Sequence, residues 1–232
     1  MIRLHVFPVP PGWPINISPF CLKVETYCRL AGVPYRAVPT LPFQAPRHKL
    51  PYIEHEGVRL ADSGLILAYL KNRFGDPLDH GLDAKRIALG HLLRRTAEES
   101  LYFLLMDARW REPDGWAAMR QALFGALPVG ARHTLGFFAR WSMLRELYGQ
   151  GYGRHEEADI RVMAAADLSA IAATMEGHAF ALGASPTSID ATLYGLLANI
   201  LLAPIDTVVK EEANRYPILL DFVRRMQDVV EG

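Results

Sequence analysis

Cysteine is nearly missing from this chain of 232 residues. The two present, Cys21 and Cys28, lie seven residues apart. On a helix that spacing puts them on one face but two turns apart, too far for a disulfide, and two thiols do not build a zinc site. A disulfide-stapled secreted domain is thereby excluded, and a reducing, cytoplasmic setting is expected. Net charge is missing too: 25 Lys+Arg balance 25 Asp+Glu. The whole chain therefore has no field with which to gather nucleic acid. No apolar run is long enough for a membrane span. The uncharged stretch Ala191–Ile205 is fifteen residues, short of the roughly 20 a spanning helix needs, and reads as a buried helix. The opening MIRLHVFPVPPGWP is broken by prolines and has no apolar core of signal-peptide length. Repeats, low-complexity tracts and sustained heptads are lacking, which excludes solenoids and coiled coils. The eight histidines, His5 and His178 among them, show no ligand spacing, so no metal site is expected.

What is present is an ordinary globular composition, half hydrophobic and 22% charged, in a length worth about 1.5 domains. Its charges are unevenly spread. Residues 1–75 carry 9 basic and 4 acidic side chains, net +5, and residues 76–232 carry 16 and 21, net −5. A mildly positive first third suits a small anionic ligand better than a polymer.

The hydrophobic period changes once along the chain. Residues 2–9 and 34–38 are rich in branched and aromatic side chains, as strands are. Residues 50–54 and 58–60, split by Gly57, read as a hairpin. Between the first two strands, Ser18-Pro19 opens a helix that ends at Gly32, with N-cap serine, N1 proline and terminal glycine in the expected order. Cys21, Val24, Cys28 and Ala31 form its buried stripe. Asp62-Ser63 opens a second helix, to about Phe74. After a polar linker the period is helical throughout, with helices near 83–111, 115–126, 130–148, 156–181, 187–203 and 211–230. Two domains follow, 1–75 and 83–232.

Three places could carry chemistry. A group at the start of the first helix, Ser18 or Cys21, meets unpaired backbone N–H groups and the positive end of the helix dipole, which can hold a thiolate. Leu50-Pro51 enters a strand directly after a loop, where a cis bond would turn the Leu50 backbone toward an extended ligand. Asp62-Ser63 offers a carboxylate, a hydroxyl and free N–H groups together, suited to a group bearing both ammonium and carboxylate. Each also has a plain structural reading, as a cap, a core thiol or an ordinary trans proline.

Together, SPFCLKVETYCRLAGVPY, KLPYIEHEGVRLADSGLILAYL and SPTSIDATLYGLLANILLAPI resemble the first helix, cis-proline hairpin and capped core helix of the glutathione transferase superfamily. The wording is closest to the branch containing the failed axon connections and metaxin proteins. The resemblance implies a thioredoxin-like α/β domain with a mixed four-stranded sheet, followed by an all-α domain, and a homodimer. It implies glutathione as co-substrate, with Lys49, Leu50, Pro51, Asp62 and Ser63 binding it. Ser18 would activate its thiol, with Cys21 as the alternative. No tyrosine stands near the end of the first strand, so a tyrosine-type mechanism has no candidate there. Trp13, Tyr102, Phe103, Arg109 and Trp110 would line a pocket for an apolar electrophile, unless they serve core or domain packing. Thr187 and Asp190 would form the N-capping motif of the core helix. Arg94-Arg95 and Arg224-Arg225 read as solvated helix faces, and Cys28 as an inert buried thiol. Members of this branch regarded as binding or assembly proteins leave a non-catalytic scaffold as the competing reading.

Overall fold

Alternation along Ile2–Val6 (β1) sends Ile2, Leu4 and Val6 into the interior and leaves Arg3 exposed. This strand is the second of a four-stranded mixed sheet of order β2-β1-β3-β4. The computed structural model describes residues 1–231. Helix α1 (Pro19–Leu30) crosses from β1 to its parallel neighbour β2 (Tyr35–Pro39), with Leu4 opposite Ala37. The hairpin of β3 (Tyr52–His55) and β4 (Val58–Ala61) adds antiparallel to the other side, Leu4 facing Ile53. Helix α2 (Ser63–Phe74) completes the first domain. Val24, Tyr27 and Cys28 of α1 pack with Ile66 and Leu70 of α2 against Ile2, Leu4 and Ile53.

The second domain is helical: α3 (Ala84–Arg95), α4 (Tyr102–Trp110), α5 (Pro113–Phe124), α6 (Val129–Gln150), α7 (Glu157–Met175), α8 (Ser188–Leu201), α9 (Val208–Ala213) and α10 (Pro217–Glu231). The expected helix at 83–111 is there but contains a wide π turn, Thr96–Leu101, between α3 and α4. The helix expected at 156–181 ends at Met175. The one expected at 211–230 is two helices, because Pro217 has no N–H to give and its ring crowds the preceding turn.

Helix α8 joins the domains. Every residue from Ile189 to Leu201 is buried, as an all-round apolar helix must be. Its capping box is the one expected from the sequence. Asp190 accepts from the Thr187 N–H (2.8 Å) and hydroxyl (2.7 Å), and also from the Ala181 N–H (2.8 Å). Gly195 allows α8 to lie directly on α1: a Cβ there would stand 2.5 Å from the Pro19 carbonyl oxygen and 3.2 Å from the Lys23 nitrogen. The linker is tied to the same helix, with Asp79 accepting from the Ser188 N–H at 2.8 Å and from Lys71.

At the α4–α5 corner, burial pushes the Glu112 carboxyl up to about 7, helped by Asp107, Glu157 and Glu211. A carboxyl with a raised folded-state pKa holds its proton longer folded than unfolded, so stability falls as pH rises from about 4.5 through about 7. Glu112→Gln mimics the protonated form and keeps an acceptor for the Val208 N–H that Glu112 now receives at 3.4 Å. Thermal unfolding from pH 4 to 8 should find this variant neutral at the acid end. Above pH 7 it should be more stable by on the order of 1–2 kcal/mol, allowing for solvent screening. Equal curves for the two proteins at every pH would contradict the charge account.

Candidate functional site

The site is built where α1 and α2 begin, on the edge that faces the helical domain. Ser18 caps α1: its Oγ accepts the Cys21 N–H at 3.3 Å, and its own N–H is donated to Asn16 Oδ1 at 3.0 Å. The side chain stays half-exposed, over the positive end of a twelve-residue helix. Cys21, one turn in, is fully buried, and burial pushes its thiol up to about 12, only partly offset by Ser18. It belongs to the core and is held as a neutral thiol. Cys28 is likewise buried and pushed up to about 12.

Leu50-Pro51 is cis, and the ladder of β3 begins only at Tyr52, leaving the Leu50 backbone outside the sheet pairing. Lys49 is exposed and lies 3.8 Å from Glu146 on α6.

Asp62 caps α2 through one oxygen, Oδ1, which accepts from Gly64 N–H (2.9 Å) and Leu65 N–H (3.1 Å). It does so at φ 87°, a conformation that non-glycine residues adopt at a cost and that recurs at ligand clamps. Ser63 beside it is buried, and its Oγ accepts from Lys23 Nζ at 3.2 Å. Lys23 is 0% exposed and pairs at 2.5 Å with Glu98 in the π turn. Arg94 stands 3.6 Å from the other oxygen of Glu98. So Arg94 is not the solvated cation expected from the sequence; it leans over Gly64, whose Cβ would meet it at 3.2 Å. Arg95 does face solvent, paired with Glu99. Cationic Lys23 and Arg94 thus alternate with anionic Glu98 and Asp62 around Ser63. Lys23 and Glu98 escaped sequence reasoning because the π turn that aims Glu98 has no local signature. The one available signal was a lysine on the otherwise apolar face of α1.

The expected second-substrate residues divide into two groups. Trp13, Arg109 and Trp110 are buried, Arg109 to 1% exposure. The Arg109 guanidinium lies over the Trp13 ring and bonds to Ile17 and Asn199, while Trp110 stacks on Trp116. These three form interdomain and core packing and are not pocket walls, because both faces of the α4 C-terminal turn are covered. Tyr102 and Phe103 remain half-exposed in an aromatic row, Phe20–Tyr102–Phe103–Tyr152, that starts two residues from Ser18. His5 is a core residue, stacked on Tyr52 and 2.9 Å from Thr40 Oγ1, with its pKa lowered by burial. Among the described residues no cluster of three His, Cys, Asp or Glu side chains could hold a metal.

The structure thus holds a capped Ser18 at the start of α1, a cis proline before the hairpin and an acid–serine start of α2, the two helices being linked by the Lys23–Ser63 bond. Family models described as "Glutathione S-transferase N-terminal domain" and "Glutathione S-transferase, C-terminal domain" match residues 19–115 and 164–226. The isoprene-epoxide–glutathione S-transferase of a Rhodococcus strain is 32% identical, covering 97% of this chain and 98% of that protein. The chain belongs to the glutathione S-transferase family. Failed axon connections of Drosophila melanogaster is 26% identical over 98% of this chain but only 57% of its own length, and human metaxin-2 is 20% identical over 89% and 80%. The metaxin-like branch named from the sequence is therefore among this transferase-family chain's relatives. A delta-class glutathione transferase from Nilaparvata lugens shares the fold, with TM-score 0.62 and 17% identity over all of this chain and 91% of that one.

Proposed function

We propose that this chain binds reduced glutathione and activates its thiol, through Ser18, for attack on a small apolar electrophile. The observation that carries the reading is the ring of alternating charges around Ser63. An α-amino-acid end, with an ammonium and a carboxylate, needs an anion and a cation within one ligand's reach; exposed Asp62 and half-exposed Arg94 would supply them, backed by the buried Lys23–Glu98 pair. The Leu50 backbone would hold the cysteinyl part and Lys49 the glycyl carboxylate. Lys49 would then exchange Glu146 for the ligand.

The sulfur would lie at the start of α1. Ser18 Oγ accepts the Cys21 N–H through a lone pair, so its O–H would turn from the Cys21 thiol to donate to a ligand thiolate. Lowering a thiol pKa by about two units takes about 2.7 kcal/mol of differential stabilisation. One charge-assisted hydrogen bond plus the helix dipole is enough. The thiolate then attacks the electrophilic carbon, the S–C bond forms, and the displaced oxygen or leaving group takes the electron pair. A small apolar epoxide is the first electrophile to test, since the Rhodococcus relative is named for one and the Phe20–Tyr102–Phe103 row offers an apolar wall. Cys21 is the weaker nucleophile candidate, because a buried neutral thiol reacts slowly. A cytoplasmic homodimer completes the proposal.

Calorimetric titration with reduced glutathione tests it. Binding should be micromolar to low-millimolar and weaker by at least about tenfold in Asp62→Ala. Ser18→Ala should bind comparably but turn over on the order of 10²-fold more slowly. The second reading, a binding or scaffold protein, is favoured by the likeness to failed axon connections and metaxin-2. Absence of binding by folded protein would overturn the first reading and direct the search to protein partners.

A further inference from the structure

Arg109 is a fully charged group sealed in the interior without an ionic partner. Among the described residues no carboxylate lies within salt-bridge distance of it, in contrast to Lys23 with Glu98, Arg111 with Asp107 and Arg161 with Glu212. Burying a cation without an ionic partner is costly unless hydrogen bonds satisfy it. All three of its bonds reach one place. Nη1 donates to the Ile17 carbonyl at 2.6 Å, and Nη2 donates to the carbonyl and the side-chain oxygen of Asn199 at 3.0 and 2.7 Å. Asn199, also fully buried, donates its Nδ2 to the Asn16 carbonyl at 3.1 Å and the Gly195 carbonyl at 2.9 Å. Asn16 in turn donates to the Phe7 carbonyl at 2.8 Å and accepts the Ser18 N–H at 3.0 Å.

The network therefore grips the peptide unit between Ile17 and Ser18 at both ends, its oxygen by Arg109 and its N–H by Asn16. With that plane fixed, the direction in which Ser18 leaves the backbone is fixed too. We infer that Arg109, acting with Asn199 and Asn16 from the far side of the domain junction, is a positioning residue that aims the Ser18 hydroxyl at the thiol. The inference rests on the reading of Ser18 given above. It is Arg rather than Lys that suits the position, since two oxygens on Asn199 and one on Ile17 call for a planar fork of donors. A misplacement of a fraction of an ångström would loosen a bond whose worth depends on its geometry.

The test follows the ionisation of bound glutathione by thiolate absorbance, together with kcat and KM from pH 6 to 9.5, in wild type, Arg109→Met, Asn16→Ala, Ser18→Ala and Arg109→Met/Ser18→Ala. Positioning predicts that Arg109→Met and Asn16→Ala bind glutathione within about threefold of wild type. Their bound thiol should titrate about one pH unit higher, with kcat about tenfold lower at pH 6.5 and converging on wild type near pH 9.5. The double variant should be no worse than Ser18→Ala alone, since there is then no hydroxyl to aim. Should Arg109→Met not fold, Asn16→Ala carries the same expectation, as it leaves the buried charge and its bonds to Ile17 and Asn199 in place. A merely structural role would lower the melting temperature and leave the thiol titration where it was. A folded variant with a wild-type titration and pH profile overturns the positioning role. If Ser18→Ala is itself indistinguishable from wild type, the reading of Ser18 has failed, and the inference falls with it.

Discussion

Lys23→Met should lower the melting temperature by roughly 6–12 °C. The side chain is 0% exposed and Glu98 only 10%, so removing the cation strands a buried carboxylate. Breaking such a pair on one side costs about 3–5 kcal/mol. The lower end applies here, because Arg94 remains 3.6 Å from Glu98 and methionine fills the space of the lysine stem. In a chain of this size each kcal/mol moves the midpoint by about 2–4 °C. Removing both charges should behave differently from removing one. Lys23→Met/Glu98→Gln should recover much of the loss, since the desolvation cost goes with the pair. Differential scanning calorimetry reads both effects, and a single variant as stable as wild type would refute the account of the pair. Glutathione affinity should fall in both variants, whatever their stability, because each removes a charge beside Ser63.

Asp190→Ala should be costlier still for the helical domain. One carboxylate satisfies the Ala181 and Thr187 N–H groups and the Thr187 hydroxyl, in a position with 0% exposure. Alanine leaves these donors without a partner in a site that water does not reach, at about 1–3 kcal/mol for each unsatisfied group. Relaxation reduces the sum, and a net loss of about 3–5 kcal/mol is expected. Asp190→Asn keeps one acceptor oxygen and should lie between. In urea the midpoint should fall in that order with the slope unchanged. A loss under about 1 kcal/mol for the alanine variant would show that the capping box is not what holds α8 in register. Because α8 also carries Asn199, a frayed start should weaken the support of Ser18 from a distance.

Local chemistry was what the sequence displayed most plainly. Ser18-Pro19 and Asp62-Ser63 were legible as helix starts because a cap is a short-range event, written within four residues. The loss of two-residue alternation after Gly75 was legible for the same reason, and no strand of the sheet follows β4. Thr187 and Asp190 were legible as a pair because the capping box has fixed spacing. For Arg109 the sequence left a pocket and interdomain packing both open, because its partners, Ile17 and Asn199, lie 92 and 90 residues away, and no period in the chain announces that meeting. The Lys23–Glu98 pair spans 75 residues and passes through a π turn that differs from an α-helix only in where one hydrogen bond closes. Distance along the chain, more than complexity of the site, separated what could be read from what could not.

Gly195 gives the junction a further meaning. Helix α8 rests on the first turn of α1 at a residue with no side chain, so the helix start that carries Ser18 is braced from the other half of the chain. Residues 1–75 on their own would have the α8-facing side of α1 open to water. The helical half thus serves as the mould in which the start of α1 keeps its shape.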